Sequence, residues 1–428
     1  MNKLKICFIN PPHPYLKQPK AQAPLGLLYV ASAARNINTT DISVVDLGGF
    51  KYNDNLSLPE ADIYGLTGTV LDRKPCSITA EYIRSKYPKA KIIIGGPIHL
   101  AAKDLDTSLF DSVVFGEGEY IIKQIIEDFP NVHSSYTGER IHDLDSLAFP
   151  ARDLIDNIGG NVFAYNQNYF KGGSSVIITS RGCPFACAFC ASPGIWGGKQ
   201  VIFRSVENVL DEVDVLINDF GIKQLRFSDD TLTANTKRLL RLCRGLKDRG
   251  VVWRASIRVK PNDISMFSEM YKSGCREVSF GIESGDQKVL DTILKKTTVE
   301  DNIQAVKNAK KAGLVVRLLF MCGTPGETET TADNNIKFLE TIKNDYDTIA
   351  LTNFIPIPGS AIADKPDQFD CKILNDNIDD FNFYMWGPEG ENKWNNMISL
   401  NNLDNSIFQK NIQKIRNYVK SCGKSNQG

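Results

Sequence analysis

The chain has no run of 18 apolar residues, so no membrane-spanning helix is predicted, and no secretory signal is read at its start. It has no charge surplus, because 50 lysines and arginines balance 50 aspartates and glutamates. That balance gives no electrostatic reason to expect nucleic acid or an anionic membrane as a partner. Histidine is scarce, with four residues, and none lies beyond His142. Repeats, charge runs and low-complexity tracts are missing, which argues against an array or a solvating tail. What is present is an ordinary globular composition, 42% apolar, over 428 residues, enough for a sizeable core and more than one domain. Ten cysteines in such a chain read as thiols and metal ligands, not a disulfide framework, in a reducing, cytoplasmic setting.

Three cysteines stand together. Cys183, Cys187 and Cys190 lie at C-x3-C-x2-C spacing in RGCPFACAFC, directly after a strand-like run from Ser175 to Ser180. Three thiolates on one tight loop can grip three corners of a cubane iron–sulfur cluster. The fourth iron then has no protein ligand, and an open metal position is where a small molecule binds and is activated. Structural zinc is the competing reading, but it takes four ligands, commonly in two pairs, and no second pair or histidine follows. The plainer alternative is three core thiols, which is how the single Cys243, Cys275, Cys322 and Cys371 are read.

Residues 1–145 alternate short apolar strands with helices. Strands are predicted at Leu4 to Ile9, Ile42 to Leu47, Ile63 to Thr67, Lys91 to Ile94 and Ser112 to Phe115. Helices are predicted at Leu25 to Arg35, Ile78 to Tyr87 and Tyr120 to Phe129. The alternation indicates a doubly wound parallel sheet, which binds ligands at the carboxyl ends of its strands. Gly65, Gly68, Gly95, Gly96, Gly116 and Gly118 mark those ends, and glycine lets backbone approach a flat ligand closely. Residues 146–174 read as a linker. From 175 to 360, six strand–helix repeats indicate a partial (β/α)6 barrel with polar and glycine-rich clusters at the strand exits, where barrel active sites sit. Residues 361–428 read as a small C-terminal extension. It holds aromatics from Phe381 to Trp386, Trp394, an amphipathic stretch from Ile407 to Val419, and a tail from Gly423 expected to be disordered.

The cysteine loop and the residues downstream resemble the radical S-adenosylmethionine (SAM) superfamily over about 175–360. The resemblance implies that Cys183, Cys187 and Cys190 hold a 4Fe–4S cluster and that SAM chelates the open iron. It implies cleavage of SAM to methionine and a 5′-deoxyadenosyl radical, with an electron donor such as flavodoxin or ferredoxin as partner. It also assigns SAM contacts. Ser228, Asp229 and Asp230 fall where the second strand meets the SAM amino group, although the usual G-G-E is not present. Glu283 and Ser284 fall at the fourth-strand place, Arg258 at a third-strand exit where it could pair with the SAM carboxylate, and Gly323 and Pro325 where backbone flanks adenine. Phe189 falls where the family has an aromatic beside adenine. Each has a plainer reading: Asp229 as an N-cap, Glu283 as a helix start, Arg258 as the partner of a surface acid.

Residues 1–145 resemble, more loosely, the cobalamin-binding domain that precedes many radical SAM cores. The matching segments are PLGL from Pro24, IGGP from Ile94 and VFGEGE from Val114. This implies cobalamin bound near the six glycines. The D-x-H-x-x-G signature is missing, so no cobalt ligand is named, and His13 reads as an ordinary loop histidine. The expected protein is therefore an α/β radical SAM enzyme that acts on a small-molecule substrate. It is expected to depend on cobalamin and to methylate an unactivated carbon. Rearrangement or cyclisation without methyl transfer is the alternative within the class, and an iron–sulfur electron carrier or binding module the alternative outside it. No catalytic residue and no substrate are read from the sequence.

Overall fold

The computed structural model describes residues 3–13, 16, 19–20, 22–51, 56–158, 173–381, 397–401 and 403–424. The chain separates into two compact units. The first is Met1–Val176 with Ile195–Gly197 and Val215–Ile222, and the second is Ile177–Gly194, Gly198–Asp214 and Lys223–Gly428.

The first unit is a six-stranded sheet in the order β2-β1-β3-β4-β5-β6, every pair parallel. Its strands are β1 (Leu4–Asn10), β2 (Thr40–Asp46), β3 (Ile63–Thr67), β4 (Lys91–Gly95), β5 (Ser112–Gly116) and β6 (Ser135–Gly138). Helices α1 (Leu25–Arg35), α2 (Arg73–Lys86) and α3 (Ile121–Asp128) connect them. Alternation along each strand splits the core in two. Ile6, Phe8, Val44, Ile63, Ile93 and Val114 pack with Leu28 and Ala31 of α1 and Ile122 and Ile125 of α3. Cys7, Ile9, Val45, Tyr64, Ile92 and Ile94 pack with Cys76, Ala80 and Ile83 of α2. Strand order reverses between β1 and β3, the switch point where such sheets bind ligands.

Two elements depart from expectation. Helix α2 starts at Arg73, not Ile78, after a 3-10 turn capped by Thr69 and Asp72, with Pro75 tolerated in its first turn. Strand β6 carries no apolar run, since only Tyr136 of its four residues is buried, so it left no signal in the sequence.

The second sheet is parallel, in the order β14-β13-β12-β11-β10-β7, and curled as a half-barrel. Its strands are β7 (Gly173–Ile177), β10 (Ile222–Phe227), β11 (Val252–Ile257), β12 (Cys275–Glu283), β13 (Val315–Cys322) and β14 (Thr348–Asn353). The two-residue strands β8 (Ser180–Arg181) and β9 (Ile202–Phe203) pair beside it. Between the strands run α4 (Ser192–Ile195), α5 (Val206–Asn218), α6 (Thr236–Arg249), α7 (Ile264–Lys272), α8 (Gln287–Thr292), α9 (Val299–Lys311) and α10 (Thr331–Thr341). Leu225, Phe227, Trp253, Ala255, Val278, Phe280, Leu318 and Phe320 are buried, while the residues alternating with them, such as Arg226, Arg254, Ser256 and Ser279, keep solvent access. One face thus packs and the other remains polar.

After β14 come α11 (Ala361–Asp364), the antiparallel pair β15 (Cys371–Ile373) and β16 (Ile398–Leu400), and α12 (Asn405–Ser421). Helix α12 buries Phe408, Ile412, Ile415 and Val419, one stripe at helical spacing. The aromatics predicted at Phe383, Tyr384, Trp386 and Trp394 and the end of the tail, 425–428, lie outside the described residues. No helix among the described residues is long and apolar enough to cross a membrane.

Gly116 gives a direct test of the first sheet. Its φ is +75°, and a Cβ there would lie 2.3 Å from the carbonyl oxygen of Gly138. Gly116→Ala is expected to destabilise the first unit by about 2 kcal/mol or more, read as a lowered denaturation midpoint of the full chain.

Candidate active site

The cysteine loop leaves the sheet beside β10 and is held there by a buried polar network. Asp229 lies just past β10 and is buried. Its Oδ1 accepts from Thr179 Oγ1 at 2.8 Å and Ser180 Oγ at 2.5 Å, and both its oxygens face the Thr179 N–H at 3.2 and 3.3 Å. Arg238 donates to Thr179 Oγ1 and to its carbonyl oxygen, both at 3.0 Å. Burial raises the Asp229 pKa, with the Ser180 and Thr179 bonds and nearby Arg238 pulling it back down. Asp230 is exposed, and its Oδ2 accepts from the Gly182 N–H at 3.1 Å. Ser228 is half-buried, and its N–H donates to the Ile177 carbonyl at 2.9 Å. The aspartates expected at the SAM amino group therefore both bind the start of the cysteine loop.

Mid-loop, Ala188 is clamped from two sides. Its N–H donates to the Ile293 carbonyl at 2.8 Å, and its carbonyl accepts from the Ile362 N–H at 3.0 Å. Ala188 packs with Phe354, Ile362, Cys371 and Ile398, and Phe189 lies against that cluster. Each cysteine sulfur has a polar neighbour. Cys183 Sγ is 3.2 Å from Thr231 Oγ1, Cys187 Sγ accepts from Arg258 Nη1 at 3.1 Å, and Cys190 Sγ accepts from the Ser192 N–H at 3.4 Å. Burial raises the Cys190 thiol to about 11, reinforced by Cys187 and Cys183. Ligation therefore has to supply what the environment withholds from the thiolate form. No three side chains among the described residues converge on one metal ion. Three thiols on one loop, each with a polar neighbour at its sulfur, are the donor set a cubane takes at three of its corners.

Sequence reading missed Lys295. It is buried, its ammonium donates to Glu283 Oε1 at 2.5 Å and lies 5.7 Å from the Phe189 ring centre, and its carbonyl accepts from Arg258 Nη2. Glu283, at a bulge ending β12, has φ +61°, and Leu294 and Lys296 have φ +54° and +58°. No spacing marks Lys295 in the chain; only the turn after α8 brings it to Glu283. Ser284 is buried, and its hydroxyl donates to Asn335 Oδ1 at 3.0 Å and accepts from the Asp286 N–H at 3.1 Å. Gly323, with φ +81°, donates its N–H to Glu327 Oε1 at 2.6 Å, and a Cβ there would meet the Phe408 ring at 2.7 Å. Pro325 is buried in the same turn. In the first unit, a Cβ at Gly65, Gly68, Gly96 or Gly116 would meet protein atoms at 2.3–2.9 Å, and at Gly95 and Gly118 at 3.4 and 3.3 Å. Close contacts within the fold thus already require several of these glycines, with or without a ligand.

The radical SAM superfamily model matches residues 177–339. The uncharacterized methyltransferase PH0819 of Pyrococcus horikoshii is 30% identical over 392 residues, 85% of this chain and 83% of that protein. The chain belongs to the radical SAM superfamily. Its cofactors are accordingly a 4Fe–4S cluster and SAM. This radical SAM enzyme is also 26% identical over 344 residues to the anaerobic magnesium-protoporphyrin IX monomethyl ester cyclase of Cereibacter sphaeroides, covering 73% of this chain and 56% of the cyclase. Its fold is similar to that of the radical SAM methyltransferase TsrM from Kitasatospora setae, solved with cobalamin and a 4Fe–4S cluster bound. That similarity has a TM-score of 0.64 and 17% identity over 85% of this chain and 78% of TsrM.

Two predictions follow from this geometry. Alanine at any one of Cys183, Cys187 or Cys190 is expected to lower bound iron and abolish SAM cleavage; full iron and cleavage in the triple variant would contradict the ligand set. Burial lifts the Glu327 carboxyl from 4.5 to about 7. A raised acid binds more protons folded than unfolded between those values. Its contribution to stability therefore falls as pH rises from 4.5 through about 7, by up to about 3 kcal/mol. Denaturation of Glu327→Gln across this range is expected to remove that slope.

Proposed function

We propose that this radical SAM enzyme uses cobalamin as well as the cluster and transfers a methyl group to a carbon of a small-molecule substrate. The observation that supports this best is the pairing of a parallel β2-β1-β3-β4-β5-β6 sheet with a cluster-loop half-barrel in one chain. The same pairing of folds is found in TsrM, and PH0819, similar over both units, is described as a methyltransferase. At the β1/β3 switch point, His13 Nδ1 lies 3.0 Å from Asp72, whose other oxygen accepts from Thr69. A histidine faced by a carboxylate thus lies at the edge where such sheets bind ligands.

When bound, the cluster supplies the electron that cleaves SAM and the corrin supplies a methyl carrier. The chain's own residues do the rest. Cys183, Cys187 and Cys190 hold three corners. The Lys295–Glu283 pair beside Phe189 presents a cation and a carboxylate toward the place where SAM's amino acid and ribose are expected. Gly323 and Pro325 offer backbone to a flat ring. All ten cysteines are free, which suits a reducing cytoplasmic setting. A flavodoxin or ferredoxin is the fitting class of electron donor. The cyclase relatives favour a second reading, ring formation without methyl transfer.

The test is anaerobic reconstitution with iron, sulfide and cobalamin, followed by product analysis with SAM. Stoichiometric corrin retained after dialysis, with S-adenosylhomocysteine formed alongside methylated product, is expected. Retention of iron without any corrin would remove the cobalamin claim. 5′-Deoxyadenosine without S-adenosylhomocysteine would favour the cyclase-like reading.

A further inference from the structure

Arg258 follows β11 and is 7% exposed. A buried guanidinium stays charged, so it needs an anion or a full set of acceptors. Its Nη1 donates to Cys187 Sγ at 3.1 Å, its Nη2 donates to the Lys295 carbonyl, and its plane lies 3.8 Å from the Phe185 ring centre. Its Nε is buried without a hydrogen-bond partner among the described residues. None of these contacts is a carboxylate. Among these contacts, the group able to carry negative charge is the Cys187 sulfur, once it is a thiolate.

The other two sulfurs have neutral hydrogen-bond neighbours, the Ser192 N–H and the Thr231 hydroxyl, and Cys190 also lies in the field of the Asp230 carboxylate. The cation lysine at the site, Lys295, is bonded to Glu283 instead. Arg258 is thus the charged donor at a cluster sulfur, fixed by an aromatic ring below and a carbonyl beside it.

We propose that Arg258 is a positioning and redox-tuning residue: its fixed charge at Cys187 Sγ raises the cluster's reduction potential, easing entry of the electron that SAM cleavage needs. A nearby cation stabilises the more negative, reduced cluster, and hydrogen bonds to sulfur act in the same direction. In the step concerned, one electron enters the cluster from an external low-potential one-electron reductant, and no proton or group moves. The proposal rests on the three-cysteine ligand set.

The experiment is an EPR-monitored reductive titration of the anaerobically reconstituted full chain without SAM, with dithionite and redox mediators. Iron content is measured in parallel on R258M and R258K. With iron retained, R258M is expected to reduce at a more negative potential than the parent, and R258K, which keeps the charge but loses the fork, to fall between them. An unchanged potential in R258M overturns the proposal. Loss of iron in both variants also overturns it, making Arg258 an assembly residue. If the parent itself binds no cluster, the ligand set fails and the proposal with it, an outcome the iron analysis separates from the others.

Discussion

A buried carboxylate, Asp229, fixes where the cysteine loop begins, and the rest of the site depends on that contact. Removing a carboxylate from water costs several kcal/mol unless donors replace the lost solvent. Here the donors are the Thr179 amide and hydroxyl and the Ser180 hydroxyl, with Arg238 behind them, and each bond to a charged group returns about 1.5–3 kcal/mol. The carboxylate therefore ties the exit of β10 to the exit of β7. Farther along, Ala188 is hydrogen-bonded to Ile293 on one side and Ile362 on the other. A loop fixed at its start and middle presents three sulfurs in one arrangement before any metal arrives.

Backbone strain gathers at the same place. Glu283, Leu294 and Lys296 are non-glycine residues with left-handed φ, each costing about 1–2 kcal/mol. What holds them is local and specific: the Glu283–Lys295 ion pair, the Arg258 bond to the Lys295 carbonyl, and the Ala188 amide on Ile293. The turn after α8 thus touches the cysteine loop through a backbone bond, a guanidinium and an ammonium near Phe189. Strain of this kind concentrates where geometry matters more than stability.

Much of this architecture was legible in the sequence. Helix Leu25–Arg35 and strand Ile63–Thr67 fall where the pattern put them, because burial imposes a clear period on each. The half-barrel followed from six alternations and the family from one ten-residue loop. The losses have physical causes. β6 is an edge strand with one buried side chain. The resemblance puts Asp229 and Arg258 among the SAM contacts, and residue type at a strand exit shows charge but not direction. In the fold, Asp229 turns to Thr179 and Arg258 to Cys187. The strand-exit glycines are read as room for a flat ligand, and contacts inside the protein at Gly68, Gly96 and Gly116 call for glycine there with or without one. Lys295 was invisible, since its partner Glu283 lies twelve residues back and meets it only through the turn.

The central claim is that three cysteines leave one iron open and that SAM's amino group binds it. Electron–nuclear double resonance on the reduced, reconstituted enzyme with SAM labelled by 15N at the amino nitrogen tests this most directly. A resolved 15N hyperfine coupling, present with the parent and lost without SAM, is the predicted result. A well-formed cluster signal with no 15N coupling at saturating SAM would contradict it.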